Sequence, residues 1–423
     1  MYRRLIKPLR SQTAKDASAM TVGTAAGAIL ALGFFIIAAR TLGPEKLGIL
    51  FLATTASFMF ADIFDVALNT SLVRFVAAEI RKKTGEEEKF LKFIFKLKLG
   101  IGIALLAIIG LLATPLSTVM FGRPIPEILL LIGLGTGFQL IFTFSIAHLQ
   151  ARKDFIRAAG GIVMLPGVRL LAILALLAGK RIETLSTLAV YFFSTPIAAA
   201  TMLAVAPRSF FKAHGENQVA RTLLKYNLPL TVGFAIAAVS SRIDNFILAN
   251  LSGSQAVGYY AAAFRLFTPL QFLAGSLSTV FAPRFAGFER IQEVKTYLGK
   301  TILAISLMSL GLLAFLPFSR LLIQLFYGVD FLPSVSVLRI LFLGFAVFLM
   351  QAPFTSVILY YLSKPRVFAL VSGLQLILVV AANLVLIPRF QQNGAAIAFL
   401  ITQLAGLAML SLYALKKLQK VKQ

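Results

Sequence analysis

The sequence has no cysteine and only two histidines, His148 and His214. Without cysteine the chain cannot use a catalytic thiol, bind zinc through thiolates or form a disulfide. Two histidines are too few for a histidine metal cluster. Charged residues are also scarce, at 13% of the chain, where soluble proteins carry about 25%. This composition excludes a soluble enzyme, a disulfide-bonded secreted domain and a soluble nucleic-acid-binding protein.

Long apolar runs take the place of the missing charge, and hydrophobic residues make up 59% of the chain. Several runs approach the ~20 residues needed to cross a bilayer. In hydrocarbon the backbone must satisfy its own hydrogen bonds, so such runs are helical. We therefore predict an all-α polytopic membrane protein with about twelve transmembrane helices. The predicted spans are 20–39, 47–75, 93–113, 128–149, 161–178, 185–205, 228–251, 257–281, 301–316, 335–361, 368–387 and 395–415.

The 41 basic and 16 acidic residues give a net charge of +25. With a cytoplasmic N-terminus, thirty basic residues fall in inner segments and seven in outer loops. This bias follows the positive-inside rule, so we expect both termini in the cytoplasm and a location in the cell (inner) membrane. The outer loops are short, the longest being 317–334, which leaves no room for an outer catalytic domain. We predict neither an enzyme nor a nucleic-acid partner.

The two halves of the chain repeat at an offset of 210 residues. Residues 43–48, GPEKLG, align with residues 253–258, GSQAVG, and the pair Arg74-Phe75 aligns with Arg284-Phe285. Six spans per half give the halves the same orientation, related by an axis along the membrane normal. The predicted organisation is a cytoplasmic basic tail (1–19), a six-helix bundle (20–206), a cytoplasmic linker (207–227), a second six-helix bundle (228–415) and a basic tail (416–423).

Charged residues inside spans are costly, so each is a candidate functional residue. Asp62, Asp65 and Asn69 share one face of the second span. These residues have two possible roles. They could exchange a proton or a sodium ion during transport, or they could form hydrogen bonds that hold neighbouring helices together. In a separate group, Asp244 is a candidate for ion coupling or helix pairing and is expected to pair with Arg265 on the next span, and Arg265 is also expected to contact the substrate. The other candidates are basic and predict a cationic cavity that suits a phosphate group. They are Arg74, Arg169, Arg242 and Arg339.

The segment 79–98, EIRKKTGEEEKFLKFIFKLK, is counted with the inner basic segments. Lys89, Lys92 and Lys96 form a basic stripe beside apolar residues. This pattern is typical of an interfacial helix that settles on anionic membrane lipids. Ordinary positive-inside anchoring explains the lysines equally well.

Four segments resemble polysaccharide-transport flippases of the multidrug/oligosaccharidyl-lipid/polysaccharide exporter superfamily. They are residues 39–51 (ARTLGPEKLGILF), 65–74 (DVALNTSLVR), 244–265 (beginning DNFIL and containing VGYYAAAFR) and 387–396 (IPRFQQNGAA). Ala67 replaces the glycine that the family usually has in the second segment, which weakens the match there. The matches touch both halves of the chain.

The resemblance implies a Wzx-like flippase built from two six-helix bundles around a central cavity that opens alternately to each side. Such a protein moves a polyprenyl-pyrophosphate-linked glycan, an O-antigen-type precursor, from the inner to the outer leaflet. It needs no cofactor apart from proton or sodium coupling, and its partners would include polysaccharide polymerase and assembly proteins. Asp65, Arg74, Asp244 and Arg265 are the positions that match the family segments.

Three alternatives stay open. An ion-coupled multidrug/cation antiporter of the same superfamily would be expected to have an acidic cavity. A membrane enzyme acting on lipid-linked sugars would need a nucleophile or metal cluster. A non-transporting membrane component of a glycan assembly complex is the third.

Overall fold

The computed structural model describes residues 12–82, 85–215, 217–267, 284–285, 287–288 and 290–420. These ranges contain helices and no β-strand, which confirms the predicted all-α class. Short 3₁₀ turns occur at Ser209–Lys212, Leu316–Phe318 and Val329–Phe331, and a π-helix at Val357–Tyr361. The α-helices are α1 (Gln12–Lys82), α2 (Glu87–Leu111), α3 (Ala113–Phe121), α4 (Pro126–Ala151), α5 (Phe155–Ala178), α6 (Thr184–Val205), α7 (Asn217–Ser240), α8 (Ile243–Arg265), α9 (Ile291–Leu313), α10 (Ser319–Phe326), α11 (Ser334–Ser356) and α12 (Pro365–Lys420).

Within the described ranges, nine helical stretches are long and apolar enough to cross a membrane. Three of them, Ser18–Asp65, Asn217–Arg265 and Pro365–Gln419, each overlap two of the predicted spans. In the first and last of these the backbone breaks inside one long helix, at Gly43 and Gln391. The chain is therefore a multi-pass membrane protein, while the count of twelve and the side of each terminus stay predictions.

Several helices begin earlier than predicted. The sequence placed their starts at 93, 228 and 301, whereas α2 begins at Glu87, α7 at Asn217 and α9 at Ile291. The first turns of α2 and α9 carry charged residues and that of α7 begins with two amides, and a search for apolar runs leaves such residues out. Residues 268–281 of the predicted span 257–281 lie outside the described residues. So do five tail residues that supported the predicted orientation, Arg3, Arg4, Lys7, Arg10 and Lys422.

Local sequence signals set several helix ends. Pro126 occupies the first turn of α4, where its fixed φ suits a helix and its missing N–H is not needed. The side chain of Asp154 accepts a hydrogen bond from the Arg157 backbone N–H at 3.3 Å and caps α5. Gly122 ends α3 in the left-handed conformation with φ 70°.

Two glycines break their helices in the same way. Gly43 in α1 has φ 74° and ψ 177°, and Gly253 in α8 has φ 79° and ψ 172°. L side chains rarely adopt this conformation, which glycine reaches without steric cost. The two positions are separated by 210 residues, which is the offset of the predicted internal repeat.

A close backbone contact joins the two segments that follow these breaks. A Cβ atom on Gly48 would overlap the Ser254 carbonyl oxygen, and one on Gly258 would overlap the Pro44 carbonyl oxygen. The repeat offset carries Gly48 onto Gly258 and Pro44 onto Ser254, so the contact is reciprocal. Reciprocal contacts are what a two-fold relation between equivalent segments produces.

Contacts divide the chain into two units. The first contains the residues before Gly43 together with Ile49–Arg242, and the second contains Gly43–Gly48 and the residues from Ile243 onward. In the first unit α4 packs against α2, α3, α5 and α6, and in the second α11 packs against α8, α9, α10 and α12. The predicted linker 207–227 lies within the first unit, where α7 begins at Asn217.

The start of α2 packs inside the protein rather than presenting an apolar face to lipid. Phe90, Leu91 and Ile94 are buried in a core cluster with residues of α1, α4 and α7. The Lys92 Nζ donates a hydrogen bond to the Ala213 carbonyl oxygen at 2.6 Å. The predicted interfacial helix is therefore wrong for the apolar residues, because they complete a protein core. Binding of its lysines to anionic lipids stays a prediction.

Candidate functional site

A buried polar network occupies the first unit at the junction of α1, α2 and α4. The Lys98 Nζ lies 2.5 Å from the Asp65 Oδ1 and 2.6 Å from the Asn69 Oδ1. The Thr143 hydroxyl donates to the same Asp65 oxygen at 2.8 Å, and the Asn69 Nδ2 donates to the Asp65 Oδ2 at 2.8 Å. Both carboxylate oxygens of Asp65 are therefore hydrogen-bonded.

The helices account for this arrangement. Asp65 and Asn69 are four residues apart on α1 and share a face, as the sequence predicted. Lys98 lies eleven residues after Glu87, about 16 Å along the axis of α2. Its side chain is fully buried, which the sequence analysis did not predict when it counted Lys98 with the inner basic residues. The acidic run 86–88, typical of a helix start, could have placed Lys98 three turns inside the helix.

Asp62, one turn before Asp65, pairs with a different residue. Its Oδ2 accepts a hydrogen bond from the Arg242 Nη2 at 2.6 Å, and both side chains remain partly exposed. The Arg242 Nη1 also donates to the Ala238 carbonyl oxygen at 3.3 Å. The predicted acidic stripe is therefore split between two basic partners, Lys98 and Arg242.

Arg169 lies on α5 and is held by α6. Its Nε donates to the Tyr191 carbonyl oxygen at 3.1 Å, and its Nη2 donates to the Thr195 hydroxyl at 3.0 Å. The guanidinium carbon is 3.7 Å from the centre of the Tyr191 ring, a cation–π contact. Within the described residues, Arg169 has no carboxylate partner. Its remaining N–H groups, including both on Nη1, make no hydrogen bond to the residues that the structure describes.

Two further arginines predicted to line the cavity, Arg74 and Arg339, are exposed. Arg74 stacks its guanidinium on Tyr226 of α7, 4.6 Å from the ring centre. Arg339 lies in the second turn of α11 with its side chain exposed. The role of Arg339 in a cavity stays a prediction.

Two of the three predicted site residues of the second unit, Asp244 and Arg265, lie on α8. Asp244 accepts hydrogen bonds from the Tyr260 hydroxyl at 3.1 Å and from the Asn245 backbone N–H at 2.9 Å. Arg265 is the last residue of α8 and is partly buried. Tyr260 is a partner of Asp244 that the sequence reasoning missed, although it lies in the quoted VGYY segment. The pairing of Asp244 with Arg265 stays a prediction.

The structure thus brings Asp65 and Asn69 together with Lys98, and Asp62 together with Arg242. Arg169, Arg74 and Arg339 each have separate surroundings. Both acidic candidates of the first unit pair with a basic residue, whereas Arg169 has no acidic partner among the described residues. The cationic cavity that the sequence analysis predicted stays a prediction.

Comparison with known proteins gives the family. The family described as "Polysaccharide biosynthesis protein" matches residues 13–289, more than half of the chain. A putative O-antigen transporter of Shigella flexneri is 25% identical over 173 residues, covering 40% of this chain and 41% of that protein. The capsular polysaccharide biosynthesis protein CapF of Staphylococcus aureus is 24% identical over 207 residues, covering 46% and 51%. The matches thus span about half the length of these relatives or less.

Solved structures give the fold. The lipid II flippase MurJ, in an inward closed conformation, matches with a TM-score of 0.78 at 16% identity, covering 94% of this chain and 87% of MurJ. An inward-facing multidrug resistance MATE family transporter of the MOP superfamily matches with a TM-score of 0.76 at 15% identity, covering 94% and 96%. Identities this low show the fold alone. The chain belongs to the polysaccharide biosynthesis protein family and has the fold of the multidrug/oligosaccharidyl-lipid/polysaccharide (MOP) exporter superfamily.

Proposed function

We propose that this protein is a flippase that moves a polyprenyl-pyrophosphate-linked oligosaccharide from the inner to the outer leaflet of the cytoplasmic membrane. The family supports a role in polysaccharide biosynthesis, and one relative carries the name of an O-antigen transporter. Transporters built from repeated bundles move their substrates by alternating access. The protein acts as a transporter rather than an enzyme, and polymerase or assembly proteins receive the glycan that it has translocated.

Arg169 is the observation that carries this proposal. Its guanidinium is fixed by Tyr191 and Thr195, and its other N–H groups have no acceptor within the described residues. A diphosphate leaving water needs replacement hydrogen-bond donors, and a fixed guanidinium offers two parallel ones. A cation held in this way at membrane depth favours an anionic ligand.

The same geometry disfavours a drug/cation antiporter. A cationic drug would need a carboxylate that is free to pair with it. Asp65 is bonded on both oxygens, to Lys98, Thr143 and Asn69, and Asp62 is paired with Arg242. Using either carboxylate for a drug would first require breaking an ion pair.

The other arginines take different parts in this proposal. Arg265 is the diphosphate contact of the second unit. Arg74, exposed and stacked on Tyr226, attracts the anionic head group at the inner end of α1. Arg242 is held by Asp62 and must release it before it binds substrate. Arg339, being exposed, contributes through its charge alone.

Complementation of a strain that lacks its own O-antigen flippase tests the proposal. Arg169→Ala and Arg265→Ala should abolish surface glycan. The corresponding lysine variants should keep a reduced fraction of the wild-type surface glycan. Lysine retains the positive charge but lacks the two parallel N–H donors of the guanidinium. Arg157→Ala is the matched control on the same helix as Arg169, since Arg157 is exposed and pairs with Asp154 three residues away. It should retain full activity.

Two results would contradict the roles given to the arginines. Wild-type glycan export by Arg169→Ala, at equal membrane level, would remove Arg169 from substrate binding. If Arg265 only pairs with Asp244 across the break at Gly253 in α8, the double swap Arg265→Asp with Asp244→Arg should restore export. That restoration would defeat the substrate-contact role of Arg265.

A further inference from the structure

Four oxygen atoms surround the ammonium group of Lys98 in the first unit. Its Nζ is 2.5 Å from the Asp65 Oδ1, 2.6 Å from the Asn69 Oδ1, 3.3 Å from the Leu140 carbonyl oxygen and 3.4 Å from the Thr143 hydroxyl. α1 and α4 supply these oxygens, and α2 supplies the ammonium. We call this set of four oxygens the Lys98 cage.

The ligands of the Lys98 cage are those that proteins use for hard metal cations. Carboxylate, amide, hydroxyl and main-chain carbonyl oxygens bind such ions through their lone pairs. The cage contains one carboxylate, that of Asp65, so a single positive charge balances it. The ammonium of a lysine is itself a compact single charge, comparable in kind to an alkali cation.

We propose that Lys98 is a tethered cation that fills a monovalent-cation site in the first unit. With the ammonium in place, the unit neither binds nor exchanges Na⁺ or K⁺ at Asp65. Removing the ammonium opens the cage to either ion. This assignment is independent of which substrate the protein moves.

Burial and bonding support this assignment. The side chain of Lys98 is fully buried and that of Asp65 is 8% exposed, so water does not compensate either charge. A buried ion pair of this kind is weak evidence for stability, because its desolvation is costly. Its complete set of oxygen partners is better explained by a site that must always contain one cation.

The neighbouring Asp62–Arg242 pair does not have these properties. It is partly exposed on both sides, and the Nη2 of Arg242 meets one carboxylate oxygen. Two roles were predicted for Asp65, ion exchange and helix pairing. The cage favours helix pairing, in which the Lys98 ammonium is the cation that Asp65 binds. Coupling of transport to an ion gradient then has to use other groups.

Thermal unfolding of the purified full-length protein in detergent tests the proposal. Each variant is measured in NaCl, KCl and N-methylglucamine chloride at equal ionic strength, so that screening is the same. Wild type and Lys96→Ala, an exposed position two residues away, should unfold at the same temperature in all three salts. Lys98→Ala should be stabilised by several degrees in NaCl or KCl, with saturation, as expected for a ligand that binds only the folded state.

The double variant Lys98→Ala with Asp65→Asn distinguishes binding of an ion in the Lys98 cage from effects of ions elsewhere on the protein. It should lose the specific response to Na⁺ and K⁺, because the balancing carboxylate is gone. Recovery of folded Lys98→Ala only when NaCl or KCl is present during purification would also support the proposal. Lys98→Ser, which offers an additional oxygen, provides a second variant with the same expected response.

Three results would overturn the proposal. The first is folded Lys98→Ala and Lys98→Ser without any preference for Na⁺ or K⁺ over N-methylglucamine. The second is failure to recover either variant in any salt, since a cation should replace the ammonium. The third is a specific Na⁺ or K⁺ response of the wild type that Asp65→Asn removes, which would mean that the cage exchanges ions with Lys98 in place.

Discussion

The two units join their helices with different polar chemistry. In the first unit a charged pair, Lys98 and Asp65, links α1 and α2. In the second unit neutral amides link α11 and α12: the Gln351 Nε2 donates to the Gln403 Oε1 at 2.7 Å and to the Gln403 carbonyl oxygen at 3.1 Å. Gln375 adds a bond from its Nε2 to the Thr402 carbonyl oxygen at 3.2 Å.

This difference decides how each unit responds to the loss of one partner. Removing one member of a buried ion pair leaves an uncompensated charge. Removing one amide from a network costs hydrogen bonds, which between membrane helices average about 0.6 kcal/mol. The first unit should therefore be more sensitive at its polar contacts than the second.

The largest expected effect is that of Asp65→Asn. The substitution leaves the Lys98 ammonium buried without a counter-charge, so the free energy of unfolding should fall by about 3–5 kcal/mol. The measurement is unfolding of the purified variant in detergent. Asp62→Asn is the matched control, because it makes the same change one turn away on the same helix.

A companion double variant tests the reason for this loss. Asp65→Asn with Lys98→Met removes both charges and keeps an unbranched side chain in the same place. It should recover a large part of the lost stability. If it is less stable than Asp65→Asn alone, the uncompensated charge is not the cause.

Steric contact between backbones should give the next largest effect, and this contact lies in the second unit. Gly48→Ala and Gly258→Ala should each lower the free energy of unfolding by about 1–3 kcal/mol, because the new Cβ overlaps a carbonyl oxygen that cannot move alone. The two losses should be similar, since the contact is reciprocal. Gly100→Ala, which has open space around it, should be neutral or stabilising. A large loss in only one of the two glycine variants would contradict the reciprocal contact.

The amide network predicts a smaller effect. Gln351→Leu should lower the free energy of unfolding by about 0.6–1.7 kcal/mol, the range for hydrogen bonds between membrane helices. Gln419→Leu, at an exposed position near the end of α12, should have no measurable effect. A loss for Gln351→Leu as large as that for Asp65→Asn would remove the distinction between the two units.

The smallest expected effect is that of Asp62→Asn. The Asp62–Arg242 pair is 36% and 23% exposed, so solvent screens it. We expect a loss of about 0.2–1 kcal/mol, typical of exposed pairs. A loss equal to that of Asp65→Asn would show that the Asp62–Arg242 pair is shielded from water in the membrane.

The sequence predicted the features that depend on periodicity and composition. Hydrophobic runs and helical spacing predicted the helical class, the shared face of Asp65 and Asn69 and an interruption between residues 39 and 47, where the structure has the break at Gly43. The family segments in both halves predicted the superfamily fold that the comparisons found. These signals are local or are repeated along the chain.

Partners between distant helices could not be predicted in this way. Asp62 meets Arg242, which is 180 residues away, and Lys98 meets Asp65 on another helix. These pairs depend on how helices pack, and a single sequence does not specify that packing. Lys98 was also hidden by its neighbours Lys92 and Lys96, which made the whole segment look like an inner basic loop.

Flipping in proteoliposomes tests the central claim most directly. Purified protein is reconstituted with a fluorescent polyprenyl-diphosphate oligosaccharide in both leaflets, and a membrane-impermeant quencher is added outside. The account predicts that wild type makes the whole lipid population accessible to the quencher, whereas Arg169→Ala and Arg265→Ala leave the inner leaflet protected, as in liposomes without protein. Protection of the inner leaflet by the wild-type protein, together with transport of a cationic dye by the same vesicles, would contradict it.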